Sequence, residues 1–166
     1  MTHHCRIIEP IPLLNYPVGF FDGVTKGTVG GCGFQLYLSM DHLYSCWMGL
    51  DYNTNNLSEM VVAWSLIYWA RTLDISHLQV FGDSRIIIDW INEKFILHSI
   101  NLTHWGINIR NIISQYSTIN FSHIFRENNK DADILSKRGL GCPMGTLFFT
   151  EHNTDGIIRE GNKKLF

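Results

Sequence analysis

The chain has 166 residues, of which 45% are hydrophobic and 13% aromatic, enough to build one sizeable core and too apolar for a disordered segment. A formal net charge of −2 speaks against a strongly basic nucleic-acid-binding surface. The four cysteines form no C-x-x-C pair and have no spaced histidine partners, so neither a zinc site nor a disulfide framework is expected. Apolar runs such as 60–63 and 86–88 stop well short of a membrane span, and the first residues lack the basic-then-apolar pattern of a secretory leader. The expectation is a soluble, intracellular protein with reduced thiols, in the cytoplasm or nucleus and with no membrane partner.

Residues 1–16 read as a lead-in. "PVGFFDG" (17–23) is a short apolar strand ending at Asp22-Gly23, and "GGCGFQLYLSM" (30–40) and "HLYSCWMGL" (42–50) are two more, the first two strands joined as a hairpin through "TKGTVGG". From about Leu57 the period changes to that of a helix, with Met60, Ala63, Trp64, Ile67 and Ala70 on its apolar face. "SHLQVFGDS" (76–84) is a buried strand ending in Asp83, followed by helical "RIIIDWINEKF" and a second helical run around Trp105–Tyr116. "TINFSHIF" is the last strand, and a helix over 130–138 precedes a glycine-rich turn and an unassigned tail. Strands, then alternating helices and strands, predict an α/β fold with a mixed sheet flanked by helices.

Four acids fall at corresponding places. Asp22 and Asp83 end strands, Glu59 opens the first long helix and Asp133 opens the last. Taken singly, each has an ordinary explanation: a turn residue before Gly23, a helix cap before Ser84, a first-turn acid at Glu59, and dipole partners at Asp131 and Asp133. Asp131 and Asp133 are two apart, so on a helix they cannot face one site. As a set, the four converge where strand ends meet helix starts, the ligand edge of an α/β sheet. Carboxylates gathered there stay ionised only with cations, and hard oxygen donors suit Mg²⁺, as a pair of ions handling a phosphodiester. Just before Glu59, Thr54-Asn55-Asn56 offers short polar groups for a phosphate and a ribose hydroxyl, or alternatively a helix cap.

With "FFDG", "NTNNLSE", "VFGDS" and "RENNKDAD" in this order, the sequence resembles the type 1 ribonuclease H family over roughly residues 17–138, with 139–166 as a C-terminal tail. The last motif and the tail resemble the archaeal-type domain at the C-terminus of plant non-LTR retrotransposon polyproteins. The resemblance implies a ribonuclease H-like fold with a five-stranded mixed sheet, three strands antiparallel and two parallel. It also implies a catalytic and metal-binding set of Asp22, Glu59, Asp83 and Asp133, with two Mg²⁺ ions, Mn²⁺ being an alternative. One ion falls to Asp22 and Asp133, the other to Asp22, Glu59 and Asp83. Gly23, Thr54, Asn55, Asn56, Ser84 and Arg85 carry over as substrate contacts.

The implied activity is hydrolysis of the RNA strand of RNA/DNA hybrids to 5′-phosphate and 3′-hydroxyl ends; the alternative is a hybrid-binding module that has lost activity. A monomer is expected, partnered by the hybrid and by a reverse transcriptase domain of a larger polyprotein. Two departures from the family pattern stand out. Only Lys94 and Arg110 are basic between Arg85 and Arg126, which leaves no basic protrusion to grip the hybrid. The family's mobile histidine sits in a loop after the last strand, whereas His123 lies within the predicted strand and reads as structural as readily as functional, with Arg126 as its stand-in. Two divalent ions would bring the formal charge from −2 to about +2, still mild for an enzyme acting alone on nucleic acid.

Overall fold

The computed structural model describes residues 14–51, 55–92 and 100–166, the side chains of 100–103 excepted. In chain order the described elements are β1 (Val18–Lys26), β2 (Val29–Ser39), β3 (His42–Leu50), α1 (Asn55–Thr72), β4 (His77–Gly82), α2 (Arg85–Ile91), α3 (Ile100–Ile113), β5 (Thr118–His123), α4 (Lys130–Gly139), β6 (Thr146–Asn153) and β7 (Gly156–Lys164). Among the described residues they form one seven-stranded sheet in the order β5-β4-β1-β2-β3-β6-β7. The expected core is present: β1, β2 and β3 are antiparallel, and β4 and β5 run parallel to β1. The expectation of five strands is corrected to seven, because the tail folds into β6 and β7, with β6 antiparallel to β3 and β7 antiparallel to β6.

Helix α1 is buried nearly all round, from Leu57 to Ala70, where the sequence suggests a single apolar stripe. Its inner side packs on β1 and β2. Its outer side is covered by chain-distant aromatics: Trp64 meets Trp105 at 5.3 Å and Phe166 at 6.2 Å between ring centroids. At the end of α2, Arg110 of α3 donates to the carbonyls of Ile91 (2.8 Å) and Trp90 (3.1 Å), satisfying acceptors that a seven-residue helix leaves open.

Helix α4 lies on the opposite face, against β1, β2 and β3. It approaches the sheet backbone to backbone: a Cβ on Gly33 would sit 2.2 Å from the Ser136 nitrogen, and one on Gly31 2.2 Å from the Ser136 oxygen. The glycines of "GGCG" therefore set the height of α4, and with it of Asp133, above the sheet. Cys32, Cys46 and Cys142 are free thiols.

Candidate active site

The expectation that β1 ends at Asp22-Gly23 is corrected: pairing with β2 continues to Lys26, so Asp22 sits mid-strand, with Glu59 in the second turn of α1 and Asp83 just past β4, which lies beside β1 in parallel. This places one carboxylate oxygen from each within 4.8 Å of the others. Asp22 and Glu59 are 7% and 4% exposed, whereas Asp83 is half-buried. One N–H serves two acids, since the Gly23 amide donates both to Asp22 Oδ1 (2.9 Å) and to Glu59 Oε1. That contact needs a glycine: a Cβ at Gly23 would lie 2.7 Å from the Ser58 carbonyl carbon and 2.8 Å from the Glu59 nitrogen. Gly23, read from sequence as a substrate contact, thus also sets the clearance between β1 and α1.

Burial, then the charge on Asp83 and the neighbouring Asp133 carboxyl, push the Asp22 carboxyl up to about 7. Burial followed by the charges of Asp22 and Asp83 pushes Glu59 well above the ordinary carboxylate range. Asp83 is raised by burial and held back by its hydrogen bond from Asn129 and the charge of Arg126. Three hard oxygen donors that repel one another in a half-dry pocket fit a divalent cation, which would restore their ionised forms. Asp133 lies outside this closest trio, on the first turn of α4, and forms an i,i+4 ion pair with Lys137 at 3.0 Å. Asp131 is exposed and belongs to the outer side of that turn.

The other predicted residues are distributed around this centre. Asn55 and Asn56 open α1; Asn55 is exposed, and its Oδ1 accepts from Thr25 Oγ1 of β1 at 2.7 Å. Thr54 lies outside the described residues. Ser84 holds the cap position of α2 without a side-chain cap bond, and Arg85 is exposed beside it. Arg85 Nη2 lies 3.1 Å from His123 Nδ1, and His123 Nε2 lies 3.2 Å from the Asp83 carbonyl. A guanidinium only donates and a carbonyl only accepts, so the hydrogen of a neutral His123 is on Nε2. Burial and Arg85 push its pKa down, which favours that neutral form. His123 is thereby tied into the scaffold behind Asp83, and the exposed Arg126 follows it in a short 3-10 turn.

Asn129, which the sequence reading passes over, is 2% exposed and donates from Nδ2 to Asp83 Oδ2 (3.3 Å) and to the Phe21 carbonyl (2.9 Å). Its one sequence signal is position, the residue entering the helix that carries Asp133.

The sequence profile of the reverse transcriptase-like family matches residues 20–139, which spans all four acids and most of the chain. The chain belongs to the reverse transcriptase-like family. Solved structures extend the likeness to the fold. Ribonuclease H1 from the archaeon Halobacterium salinarum superposes with a TM-score of 0.69 at 18% identity, over 74% of this chain and 95% of that one. The N-terminal ribonuclease H domain of a Mycobacterium tuberculosis protein gives 0.67 at 20% identity, over 74% and 91%. LC11 ribonuclease H1, solved in complex with an RNA/DNA hybrid, gives 0.62 at 20% identity, over 74% and 95%. This reverse transcriptase-like chain therefore has the ribonuclease H fold. A search of curated protein sequences finds no match.

Proposed function

We propose that the chain is a metal-dependent endonuclease that hydrolyses the RNA strand of RNA/DNA hybrids, leaving 5′-phosphate and 3′-hydroxyl ends. The observation that carries this reading is the carboxylate trio of Asp22, Glu59 and Asp83, within 4.8 Å of one another and with Asp133 on the adjoining helix. These four would hold two divalent ions, Mg²⁺ or Mn²⁺. Such ions, when bound, ionise a water and offset charge on the leaving 3′-oxygen.

The chain's own residues do the rest. The Gly23 amide fixes the Asp22 and Glu59 carboxylates in advance of any ligand. At the start of α1, Asn55 and Asn56 present amides that can both donate to and accept from 2′-hydroxyls, the group that distinguishes RNA from DNA. Gly23, Thr54, Ser84 and Arg85 complete the substrate contacts in this reading, with Arg85 toward the minor groove. The thin supply of basic side chains supports a domain that works beside a reverse transcriptase within a retrotransposon polyprotein of the plant non-LTR kind, in the cytoplasm or nucleus, where the linked domain supplies most of the grip.

Cleavage of a uniformly labelled hybrid with and without EDTA tests the proposal. Metal-dependent products ending in 5′-phosphate and 3′-hydroxyl support it. Hybrid binding without cleavage would identify the chain as an inactive module, and equal competition by duplex DNA would identify a different nuclease on the same fold.

A further inference from the structure

The structure assigns to Asn129 the role of a positioning residue that sets three of the four carboxylates through its hydrogen bonds to Asp83, to β1 and to the start of α4. This inference rests on the proposed function and deepens it.

Asn129 occupies the N-cap position of α4, where an asparagine side chain ordinarily accepts from the helix's own free N–H groups. Here it makes no side-chain cap bond. Its Nδ2 instead donates to two acceptors brought from elsewhere, Asp83 Oδ2 at 3.3 Å and the Phe21 carbonyl, one residue before Asp22, at 2.9 Å. The amide orientation follows from chemistry, since turning the amide over would set its oxygen against a carboxylate and a carbonyl. The main chain completes the arrangement: the Asn129 carbonyl accepts from the Asp133 N–H at 3.1 Å. A single residue thus bonds Asp83 directly, Asp133 through the backbone, and the peptide immediately before Asp22.

The diversion has a cost that cap geometry alone would not incur. The Asn129 Oδ1 is buried and has no hydrogen-bond partner among the described residues. A residue chosen only to start a helix would use that oxygen as the cap. Giving up the cap to reach Asp83 and β1 is intelligible if the distance between strand and helix acids is what matters.

Asn129→Ser in the full chain separates the two roles. Serine is too short to reach both acceptors, so it releases Asp83 and the Phe21 carbonyl while α4 keeps its own backbone bonds, including that of the Asp133 N–H to residue 129. The expected result is a protein that still melts cooperatively in EDTA, together with an Mn²⁺ affinity, measured by calorimetry, weakened ~10-fold or more and a matching rise in the Mn²⁺ concentration needed for half-maximal hybrid cleavage. Asn129→Ala, measured in the same way, covers the case in which serine fails to fold. Parent-like Mn²⁺ affinity in a folded Asn129→Ser or Asn129→Ala protein would overturn the assignment while leaving the nuclease reading intact. A parent chain that neither binds Mn²⁺ nor cleaves would remove both.

Discussion

The inner and outer acids of the site are the same kind of group in opposite electrostatic situations. Asp22 and Glu59 are almost wholly buried, lie beside Asp83 and share the single Gly23 amide as donor. Asp133 has a side chain 31% exposed and a lysine one turn along its own helix, 3.0 Å away. Among the described residues neither inner acid has a lysine or arginine paired with it, and the outer acid has its own. The fold thus holds two carboxylates in place against their repulsion, while α4 can assemble without that help.

Removing an inner acid is the strongest way to test this contrast. Asp22→Asn is expected to reduce the rate of hybrid cleavage by at least ~10³-fold while leaving the protein folded and, in EDTA, no less stable than the parent; single-turnover kinetics and thermal melts check both halves. Asp133→Asn should reduce cleavage by a smaller factor, on the order of 10²-fold, with partial recovery in Mn²⁺, since the inner trio remains.

The contrast also predicts a pH dependence of stability without metal. The Asp22 carboxyl is raised from an ordinary 3.8 to about 7 in the folded chain, so the folded state binds its proton more tightly than the unfolded state does. Its contribution is fully present below about pH 4 and is lost as pH climbs through 7, so the unfolding free energy from denaturant titrations in EDTA should fall across that window, by at most ~4 kcal/mol. Asp22→Asn should flatten the fall, and saturating Mg²⁺ should suppress it.

Substituting both Asn55 and Asn56 by alanine should lower the preference for hybrid over duplex DNA by about 10-fold in competition assays, with little loss of metal binding. The smallest effect is expected at the exposed Asp131, where Asp131→Asn should cost at most ~1 kcal/mol through the lost helix-terminus charge and leave cleavage unchanged. If Asp131→Asn were inactive and Asp133→Asn active, the inner-outer division would be assigned to the wrong face of α4.

What the sequence revealed follows from where the signals are local. Asp83 follows a strand end as its sequence suggests, and the change of period near Leu57 marks the helix carrying Glu59, whereas Asp22 reads as a strand end only because Gly23 looks like a turn and the hairpin beyond it continues the strand to Lys26. The full burial of α1 could not be read this way, because its outer side is covered by Trp105 and Phe166, residues whose approach no local period reports. Asn129 was hidden for a related reason. Next to Asn128 it is an identical letter, and only the register of α4 against β1 tells which of the two reaches Asp83. Strand β7 was illegible because nearly every residue in it is exposed, which leaves no alternation to detect.

That exposure on β7 decides which backbone edge the sheet presents to solvent. Without the final hairpin, β3, with Cys46, Met48 and Leu50 fully or almost fully buried, would form the rim of the sheet, and its unpaired backbone would be a template for other chains. With the hairpin in place, the rim is instead a strand bearing Arg159, Glu160, Lys163 and Lys164, beside the exposed Ile157 and Ile158, and edge charges of this kind disfavour strand addition. The exposed rim on the side of the sheet farthest from β5 is therefore charged over its second half, with Ile157 and Ile158 exposed over its first.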